Sequence, residues 1–150
     1  LGMQVLVVEF ARSVLQLKKA NSTEMDPDTP DPIISLLSEQ ERIKDLGGTM
    51  RLGLYPCHLE INTLAHKAYT QSSIQERHRH RYEFNNAYKE AAEKSGLIIS
   101  GTYKKGDLCE IVEIKNHPWM VGVQFHPEFL SKPTAPHPLF KAFIGAILNG

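Results

Sequence analysis

The sequence predicts an α/β fold, and three observations support that prediction. Helix-like and strand-like patterns alternate along the chain, as they do when helices cover the faces of a sheet. The last third is rich in strand patterns, and apolar and polar residues alternate clearly over 108–114. A final segment from Pro138 to about Leu148 has the pattern of a helix with a proline in its first turn.

The first part of the chain predicts one helix and two strands. Apolar residues at helical spacing indicate the helix, and clusters of proline and glycine indicate the connections that follow it. Pro56 interrupts the second strand pattern, so we expect that strand to break there. In chain order the prediction is a helix over 3–20, a loop over 21–32, a short buried strand over 33–37, a connector over 38–48 and a strand over 49–59.

The second part of the chain predicts two helices before the strands of the last third. Gly96 stands where a helix C-terminus favours a glycine, so it ends the second of these helices. Residues 120–125 are apolar enough for a strand that is buried on both faces. In chain order the prediction is a helix over 62–70, a polar extended stretch over 73–84, a helix over 86–94, and strands over 97–100, 108–114 and 120–125, with a turn at 104–107.

Composition excludes several classes of function. The chain carries 17 basic and 17 acidic residues, so no overall basic charge points to a nucleic-acid or membrane partner. No run of apolar residues is long enough to span a bilayer, and the first residues lack the basic region and cleavage site of a signal peptide. We therefore expect a cytoplasmic protein of one domain, or a large piece of one.

The two cysteines, Cys57 and Cys109, form no spacing motif, so free thiols are expected rather than a disulfide. Cys109 alternates inside a strand pattern and is expected to be buried in packing. Cys57 follows Pro56, and no helix start comes after it to lower the pKa of its thiol. Neither cysteine is therefore predicted to be a nucleophile.

An apolar strand pattern ends in His126, and Glu128 follows two residues later. That spacing lets the carboxylate orient the imidazole, as the orienting residue and base of a nucleophilic triad do. The alternative is a solvated histidine at a strand end, followed by a turn that contains Pro127. The position at a strand C-terminus, where α/β sheets build their sites, favours the catalytic interpretation.

The segment E-R-H-R-H-R-Y-E at 76–83 alternates arginine with histidine. In an extended chain the three arginines would line one face, and His78 and His80 the other. A solvated basic strand edge is the simpler alternative. Metal binding by the two histidines would need a carboxylate or cysteine at the usual spacing in the sequence. None stands there, so no metal site is predicted. Arginines beside a cleft suit a carboxylate ligand, which they hold through two parallel hydrogen bonds.

The chain begins with L-G-M-Q, which has neither an initiator methionine nor a helix-capping residue. We therefore expect that the first residue lies inside a longer protein, where a helix begins. Gly2 would let a ligand approach the first N–H groups of that helix, which stabilise negative charge. The alternative is an ordinary helix that tolerates a glycine.

Five segments occur in an order that is typical of one enzyme family. They are L-G-M-Q at 1–4, A-N-S-T-E-M at 20–25, L-G-G-T-M-R-L-G at 46–53, E-R-H-R-H-R-Y-E at 76–83 and V-Q-F-H-P-E-F at 123–129. Together they resemble the class I (triad) glutamine amidotransferase domain of the CTP synthases, from Leu1 to about Phe143. Q-F-H-P-E alone is similar to class I amidotransferases in general, whereas the arginine–histidine and glycine segments are specific to CTP synthases.

The resemblance implies a flavodoxin-like fold, with a mostly parallel sheet flanked by helices. Residues 1–150 would be the C-terminal portion of the amidotransferase domain, with the N-terminal part of that domain missing and the synthetase domain absent. Without the N-terminal strands one sheet edge and much of the core face would be exposed, so we expect such a fragment to aggregate or self-associate.

The resemblance also implies a mechanism in which a cysteine attacks the side-chain amide of glutamine and the ammonia aminates UTP elsewhere. His126 and Glu128 match the base and its orienting residue. The nucleophilic cysteine of the family motif C-L-G-M-Q would precede the first residue, so this chain alone is expected to be inactive. The residues matched to glutamine binding are Leu1, Gly2, Met3, Gln4, Glu24 and Arg81, the last of them to the α-carboxylate.

The partners follow from the same resemblance. L-glutamine is the expected ligand, a synthetase domain would supply the ATP and UTP sites, and the full-length enzyme would be a homotetramer. No cofactor is expected within residues 1–150, since ATP and Mg²⁺ would bind the synthetase domain.

Three alternatives remain open. One is another class I amidotransferase or a γ-glutamyl hydrolase relative, which the arginine–histidine segment disfavours. The second is a glutamine-binding or regulatory module that has lost its nucleophile. The third is a structural domain in which Arg81 has no part in glutamine binding.

Overall fold

Two sheets and the helices that cover them make up the part of the chain that the computed structural model describes, residues 1–36, 50–104 and 107–149. The described α-helices are α1 (Gly2–Ser13), α2 (Leu64–Tyr69), α3 (Lys89–Lys94) and α4 (Pro138–Asn149). The described strands are β1 (Asn21–Ser22), β2 (Pro32–Ser35), β3 (Arg51–Leu59), β4 (Ser73–His80), β5 (Glu83–Phe84), β6 (Leu97–Tyr103), β7 (Leu108–Ile114) and β8 (Val121–Val123). This mixture of helices and strands confirms the predicted α/β class.

The larger sheet is antiparallel in every described pairing, with the strand order β4–β3–β6–β7–β8. The smaller sheet has the order β1–β2–β5, and β1–β2 is the one parallel pair among the described strands. The expectation of a mostly parallel sheet is corrected for these residues. Short connections explain the difference, because β6 returns to β7 and β7 to β8 without the crossover of a dozen or more residues that parallel pairing needs.

The first helix is shorter than predicted. α1 ends at Ser13 rather than at residue 20, and Gln16 has a positive φ of 61°, which a right-handed helix does not accommodate. The segment predicted as a loop contains β1, whose two residues pair with β2. Two residues are too few to produce a recognisable strand pattern in the sequence.

The predicted break at Pro56 is wrong, because β3 runs through it and pairs it with Gln75 of β4. β6 pairs with β3 only at His58 and Leu59, so the other edge of β3 carries no described ladder at Pro56. A proline that faces an unpaired edge costs no ladder hydrogen bond, and the strand therefore continues.

Other predicted elements are confirmed. The helix predicted over 62–70 is α2, and the side chain of its cap Thr63 accepts a hydrogen bond from the His66 N–H, 3.1 Å away. Gly96 follows α3 with a φ of 102°, which a glycine adopts without strain.

The predicted connector 38–48 and residues 105–106 of the predicted turn lie outside the described residues. Within the described residues, no helix is both long and apolar enough to cross a membrane.

The larger sheet is covered on both faces. Ile111 and Val112 are adjacent in β7, so their side chains lie on opposite faces of the sheet. Val112 belongs to an apolar cluster with Met3 of α1, whereas Ile111 belongs to a second cluster with Ala65 of α2 and Leu139 of α4. The sheet therefore lies between α1 on one face and α2 with α4 on the other.

Gly122 lets α1 lie directly against β8. A Cβ atom at position 122 would lie 3.2 Å from the Cα of Met3 and 3.2 Å from Cγ2 of Val112. β8 is shorter than the strand predicted over 120–125, and its two valines are only half-buried because it is the edge strand of the described sheet. The close approach brings the start of α1 beside the strand that leads to His126.

Candidate active site

His126 follows β8 and is held by three contacts. Its Nδ1 lies 2.6 Å from Oε1 of Glu128. The ring of Phe129 stacks on the imidazole, with 4.9 Å between the centroids and 21° between the planes. The His126 backbone N–H donates a hydrogen bond to the carbonyl oxygen of Arg77 in β4, 2.9 Å away. Because Nδ1 is engaged by a carboxylate, Nε2 is the ring nitrogen left to exchange a proton.

Glu128 reaches the imidazole because residues Pro127–Phe129 form one turn of 3₁₀-helix. Partial desolvation raises the pKa of Glu128, but the hydrogen bond and charge of His126 outweigh that effect and hold the pKa below its usual value. The carboxylate is therefore ionised at neutral pH and can stabilise a protonated imidazole.

A cavity of about 310 Å³ opens beside His126. The start of α1, the turn after β1, the residue before β3 and the end of β4 all contribute to its walls. Its lining residues are Leu1, Gln4, Glu24, Met50, Arg79, His80, Arg81, Tyr82 and His126. Four of the six residues predicted to bind glutamine, Leu1, Gln4, Glu24 and Arg81, thus line one cavity together with the predicted base.

The groups around this cavity suit a small zwitterion. Arg79 and Arg81 bring positive charge, and the exposed Glu24 brings negative charge. Gln4 is only 4% exposed, and its Oε1 is buried without a hydrogen-bond partner among the described residues. A buried amide oxygen without a partner is costly.

The other two predicted binding residues, Gly2 and Met3, line a second cavity of about 400 Å³ between α1 and β8. Leu1 and His126 line both cavities. The Met3 side chain packs in the core, which leaves its backbone to face a ligand. A Cβ atom at Gly2 would meet nothing within 4 Å among the described residues, so the first N–H groups of α1 are open to approach.

A buried polar cluster, which we call the histidine cluster, adjoins the first cavity through His80. It consists of Arg51, His78, His80, Glu83 and Glu110. His78 Nδ1 lies 2.9 Å from His80 Nε2, and His78 Nε2 lies 3.4 Å from Glu110 Oε2. Arg51 Nη1 lies 2.7 Å from Glu110 Oε1 and 3.2 Å from Glu83 Oε1.

The alternation predicted for β4 is confirmed at His78, which is buried, and at Arg77 and Arg79, which are exposed.

The sequence did not predict the part played by Glu110. Ligand atoms of His78, His80 and Glu110 lie within 4.8 Å of one another, so a carboxylate does stand near the histidine pair. Sequence spacing could not detect it, because β7 brings Glu110 from a distant part of the chain. A glutamate among apolar residues in a strand buried on both faces was the available signal. The Arg51 guanidinium already neutralises this carboxylate, which favours a hydrogen-bonded cluster over a metal site.

Burial is the largest cause of the pKa shifts in the histidine cluster. It lowers the pKa of His78 to about 3 and that of His80 to about 4, with a further contribution from the positive charge of Arg51. Burial also raises the pKa of Glu83 to about 8 and that of Glu110 to about 7, although Arg51 opposes both shifts. At neutral pH both imidazoles are therefore neutral, and the carboxyl pair retains a proton.

Comparison with known proteins identifies the family. A family model described as Glutamine amidotransferase class-I matches residues 1–146. The chain belongs to this family. This amidotransferase chain is 66% identical over 148 residues to a CTP synthase of Protochlamydia amoebophila (strain UWE25), and 59% identical over 149 residues to one of Aquifex aeolicus (strain VF5). These matches cover 99% of the chain but only 27% and 28% of those two relatives.

A solved structure is similar to the amidotransferase chain over the same extent. It is described as the glutaminase domain of Trypanosoma brucei CTPS with bound acivicin, and it is 35% identical with a TM-score of 0.92. The match covers 99% of this chain and 58% of that one. The class I amidotransferase fold implied by the resemblance is thereby confirmed, and the relatives that carry it are enzymes.

Neither cysteine of the amidotransferase chain has the environment of a nucleophile. Cys57 and Cys109 are free thiols, and both are buried. Burial, reinforced by the negative charge of Glu110, raises the pKa of both thiols above the usual value. A reactive cysteine needs the opposite conditions, a lowered pKa and access to the substrate.

Proposed function

We propose that this chain is the glutamine-binding and proton-transferring part of a CTP synthase amidotransferase domain. The observation that carries the proposal is the 2.6 Å contact between His126 and Glu128 at the edge of a cavity with oppositely charged walls. In this proposal His126 is the general base and Glu128 orients it. Glutamine is the substrate, and the residues that bind it are Leu1, Gly2, Met3, Gln4, Glu24 and Arg81.

The charges of the cavity suggest how glutamine binds. Arg81 holds the α-carboxylate through parallel hydrogen bonds, and Glu24 attracts the α-ammonium group. Gln4 lines the same cavity as these two charged groups. The side-chain amide then points towards His126, which lines the same cavity.

The proposed chemistry needs a thiol that the family motif C-L-G-M-Q places directly before Leu1. His126 Nε2 takes the thiol proton as the sulfur attacks the amide carbon, and it returns the proton to the departing ammonia. The first N–H groups of α1 stabilise the oxyanion that forms. Water then attacks the thioester with His126 again acting as the base, and glutamate leaves.

The remaining parts of the proposal concern the longer protein. The chain spans about a quarter of the length of its curated relatives, 27% and 28% in the two alignments given above. We propose that residues 1–150 are the C-terminal portion of an amidotransferase domain and that a separate synthetase domain binds ATP, Mg²⁺ and UTP. A homotetramer in the cytoplasm, without nucleic-acid or membrane partners, belongs to the same proposal.

The test uses the full natural polypeptide that contains this sequence. His126→Ala should lower glutamine-dependent CTP formation by about 10³-fold or more, because the base is lost. CTP formation from added ammonia should survive, since it bypasses glutamine hydrolysis. Equal loss of both activities would mean that His126 supports the fold, and the proposal would then be wrong.

A glutamine-binding module without catalysis is the second candidate, and the burial of both cysteines favours it for the 150 residues alone. The residue encoded before Leu1 separates the two candidates. A cysteine there supports the enzyme, whereas any other residue supports the binding module. Ammonia release from glutamine by residues 1–150 alone, abolished by Cys57→Ala, would contradict the assignment of the nucleophile.

A further inference from the structure

We propose that His80 is a positioning residue for Arg81, and that the rest of the histidine cluster fixes the orientation and tautomer of its ring. The proposal rests on the proposed function, because it concerns how Arg81 is presented to the glutamine carboxylate. His80 and Arg81 are adjacent, and both line the first cavity.

The first step is the contact between His80 and the backbone after Arg81. His80 Nδ1 lies 3.1 Å from the carbonyl oxygen of Tyr82. A carbonyl oxygen can only accept a hydrogen bond, so His80 Nδ1 carries the proton. This hydrogen bond closes a three-residue loop whose central residue is Arg81. The backbone that carries the guanidinium is thereby fixed from both sides.

The second step is the fixing of the His80 tautomer. A neutral imidazole that donates through Nδ1 accepts through Nε2. His78 Nδ1 lies 2.9 Å from that nitrogen and is therefore the donor. The His78 ring is itself buried and lies edge-on to Phe125, with 5.8 Å between centroids. The alternative His80 tautomer would leave the Nδ1 lone pair facing the carbonyl oxygen of Tyr82, which cannot donate.

The third step anchors the cluster to the sheet. In this tautomer His78 Nε2 carries no proton, and it lies 3.4 Å from Glu110 Oε2 without a hydrogen bond between them. Arg51 Nη1 lies 2.7 Å from the other Glu110 oxygen. The Arg51 guanidinium also lies over the rings of Tyr55 and Tyr103, 4.6 Å and 5.1 Å from their centroids. A planar cation held by a carboxylate and two aromatic faces has little freedom. The His78 ring also packs edge-on against Tyr55 and Phe125, so packing together with its hydrogen bond to His80 extends the order of the sheet interior to Arg81.

Two amide variants of the full natural polypeptide test the proposal. The amide nitrogen of asparagine occupies a position near Nδ1, so His80→Asn can still donate to the Tyr82 carbonyl. The glutamine amide lies near Nε2, so His80→Gln can accept from His78 but loses the donor to Tyr82. We expect His80→Gln to raise the glutamine KM about fivefold to tenfold and His80→Asn to stay within about threefold of the unmodified protein. The turnover number at saturating glutamine should change little in either variant.

The controls separate positioning from folding. His66→Gln makes the same chemical change on α2, outside the cluster, and should leave the glutamine KM unchanged. Ammonia-dependent CTP formation should be normal in all three variants. Equal glutamine KM values for the asparagine and glutamine variants would overturn the proposal. Loss of ammonia-dependent activity in both would also overturn it, because His80 would then support the fold as a whole.

These measurements distinguish failure of the positioning role from failure of the proposed function. If the unmodified protein and His126→Ala differ as proposed but the two His80 variants do not differ, only the positioning role fails. If the unmodified full protein neither binds nor hydrolyses glutamine, the proposed function and the positioning role both fail.

Discussion

The backbone N–H of His126 donates a hydrogen bond to the carbonyl oxygen of Arg77, 2.9 Å away. Arg77 lies in β4, the strand that leads directly to Arg81. The proposed base and the proposed carboxylate anchor are therefore attached to one strand. A displacement of β4 would therefore act on the backbone of both residues.

Glu128→Gln should lower glutamine-dependent turnover by about 10²-fold to 10⁴-fold, because the amide cannot stabilise a protonated His126. The substitution keeps the shape of the side chain, so activity with ammonia should remain. Steady-state rates with each nitrogen source provide the measurement. Glu90→Gln is the matched control, since Glu90 is exposed on α3 and pairs with Lys94. A Glu128→Gln rate close to that of the control would contradict the role of Glu128.

Arg81→Lys should raise the glutamine KM by about 10-fold to 100-fold, because an ammonium group cannot form two parallel hydrogen bonds to a carboxylate. Arg77→Lys on the same strand is the control, since Arg77 is exposed and the substitution keeps the backbone carbonyl that accepts the His126 N–H. Initial rates over a range of glutamine concentrations check the prediction. A similar KM for both lysine variants would argue that Arg81 does not hold the substrate.

Stability should fall as the pH rises from about 6.5 to about 8. Burial raises the pKa of Glu83 to about 8 and that of Glu110 to about 7, so the folded state keeps a proton that the unfolded chain has released. One such proton makes the free energy of unfolding fall by about 1.4 kcal/mol per pH unit. The lowered pKa values of His78 and His80, about 3 and about 4, have the opposite sign, but they act only below about pH 6.5.

Urea unfolding midpoints between pH 6 and 8.5 measure this effect. Glu83→Gln removes one carboxyl of the pair, and its midpoint should depend less on pH over the same window. A midpoint that rises in the unmodified protein from pH 6.5 to 8 would show that the pair holds no extra proton in the folded state.

Gly101→Ala should destabilise the domain by about 1–3 kcal/mol through overpacking. A Cβ atom at position 101 would lie 2.5 Å from Cγ1 of Ile111 and 2.8 Å from Sγ of Cys57, both in the core. Gly145→Ala on α4 is the control, because nothing described lies within 4 Å of its Cβ position, and alanine favours a helix. Urea midpoints should shift in opposite directions for the two variants. A Gly101→Ala midpoint equal to that of the unmodified protein would show that the sheet adjusts without cost.

The elements with strong local patterns could be predicted from the sequence. β7, α4 and the alternation of β4 follow from periodicity, and the contact between His126 and Glu128 follows from a spacing of two residues at a strand end. These features depend on neighbours in the chain. The roles of the predicted site residues remain predictions until the variants are measured.

Features that depend on strand pairing could not be predicted in the same way. Glu110 meets His78 because of the strand order of the larger sheet, and sequence spacing carries no record of that order. Pro56 was expected to break its strand because the sequence does not reveal which edge of β3 is unpaired. The mostly parallel sheet was implied by the family resemblance, whereas β1–β2 is the one parallel pair among the described strands.

The contact between α1 and β8 at Gly122 has a consequence for precision. A hydrogen atom at position 122 leaves the two main chains to set the spacing, with the Cα of Met3 only 3.2 Å from where a Cβ would stand. The main chain inside a helix or strand keeps a fixed path, whereas side chains exchange between rotamers. On the proposed function, the gap between the amide groups that receive the oxyanion and the main chain that leads to His126 is therefore a backbone dimension. Thermal motion of side chains would leave that main-chain spacing unchanged.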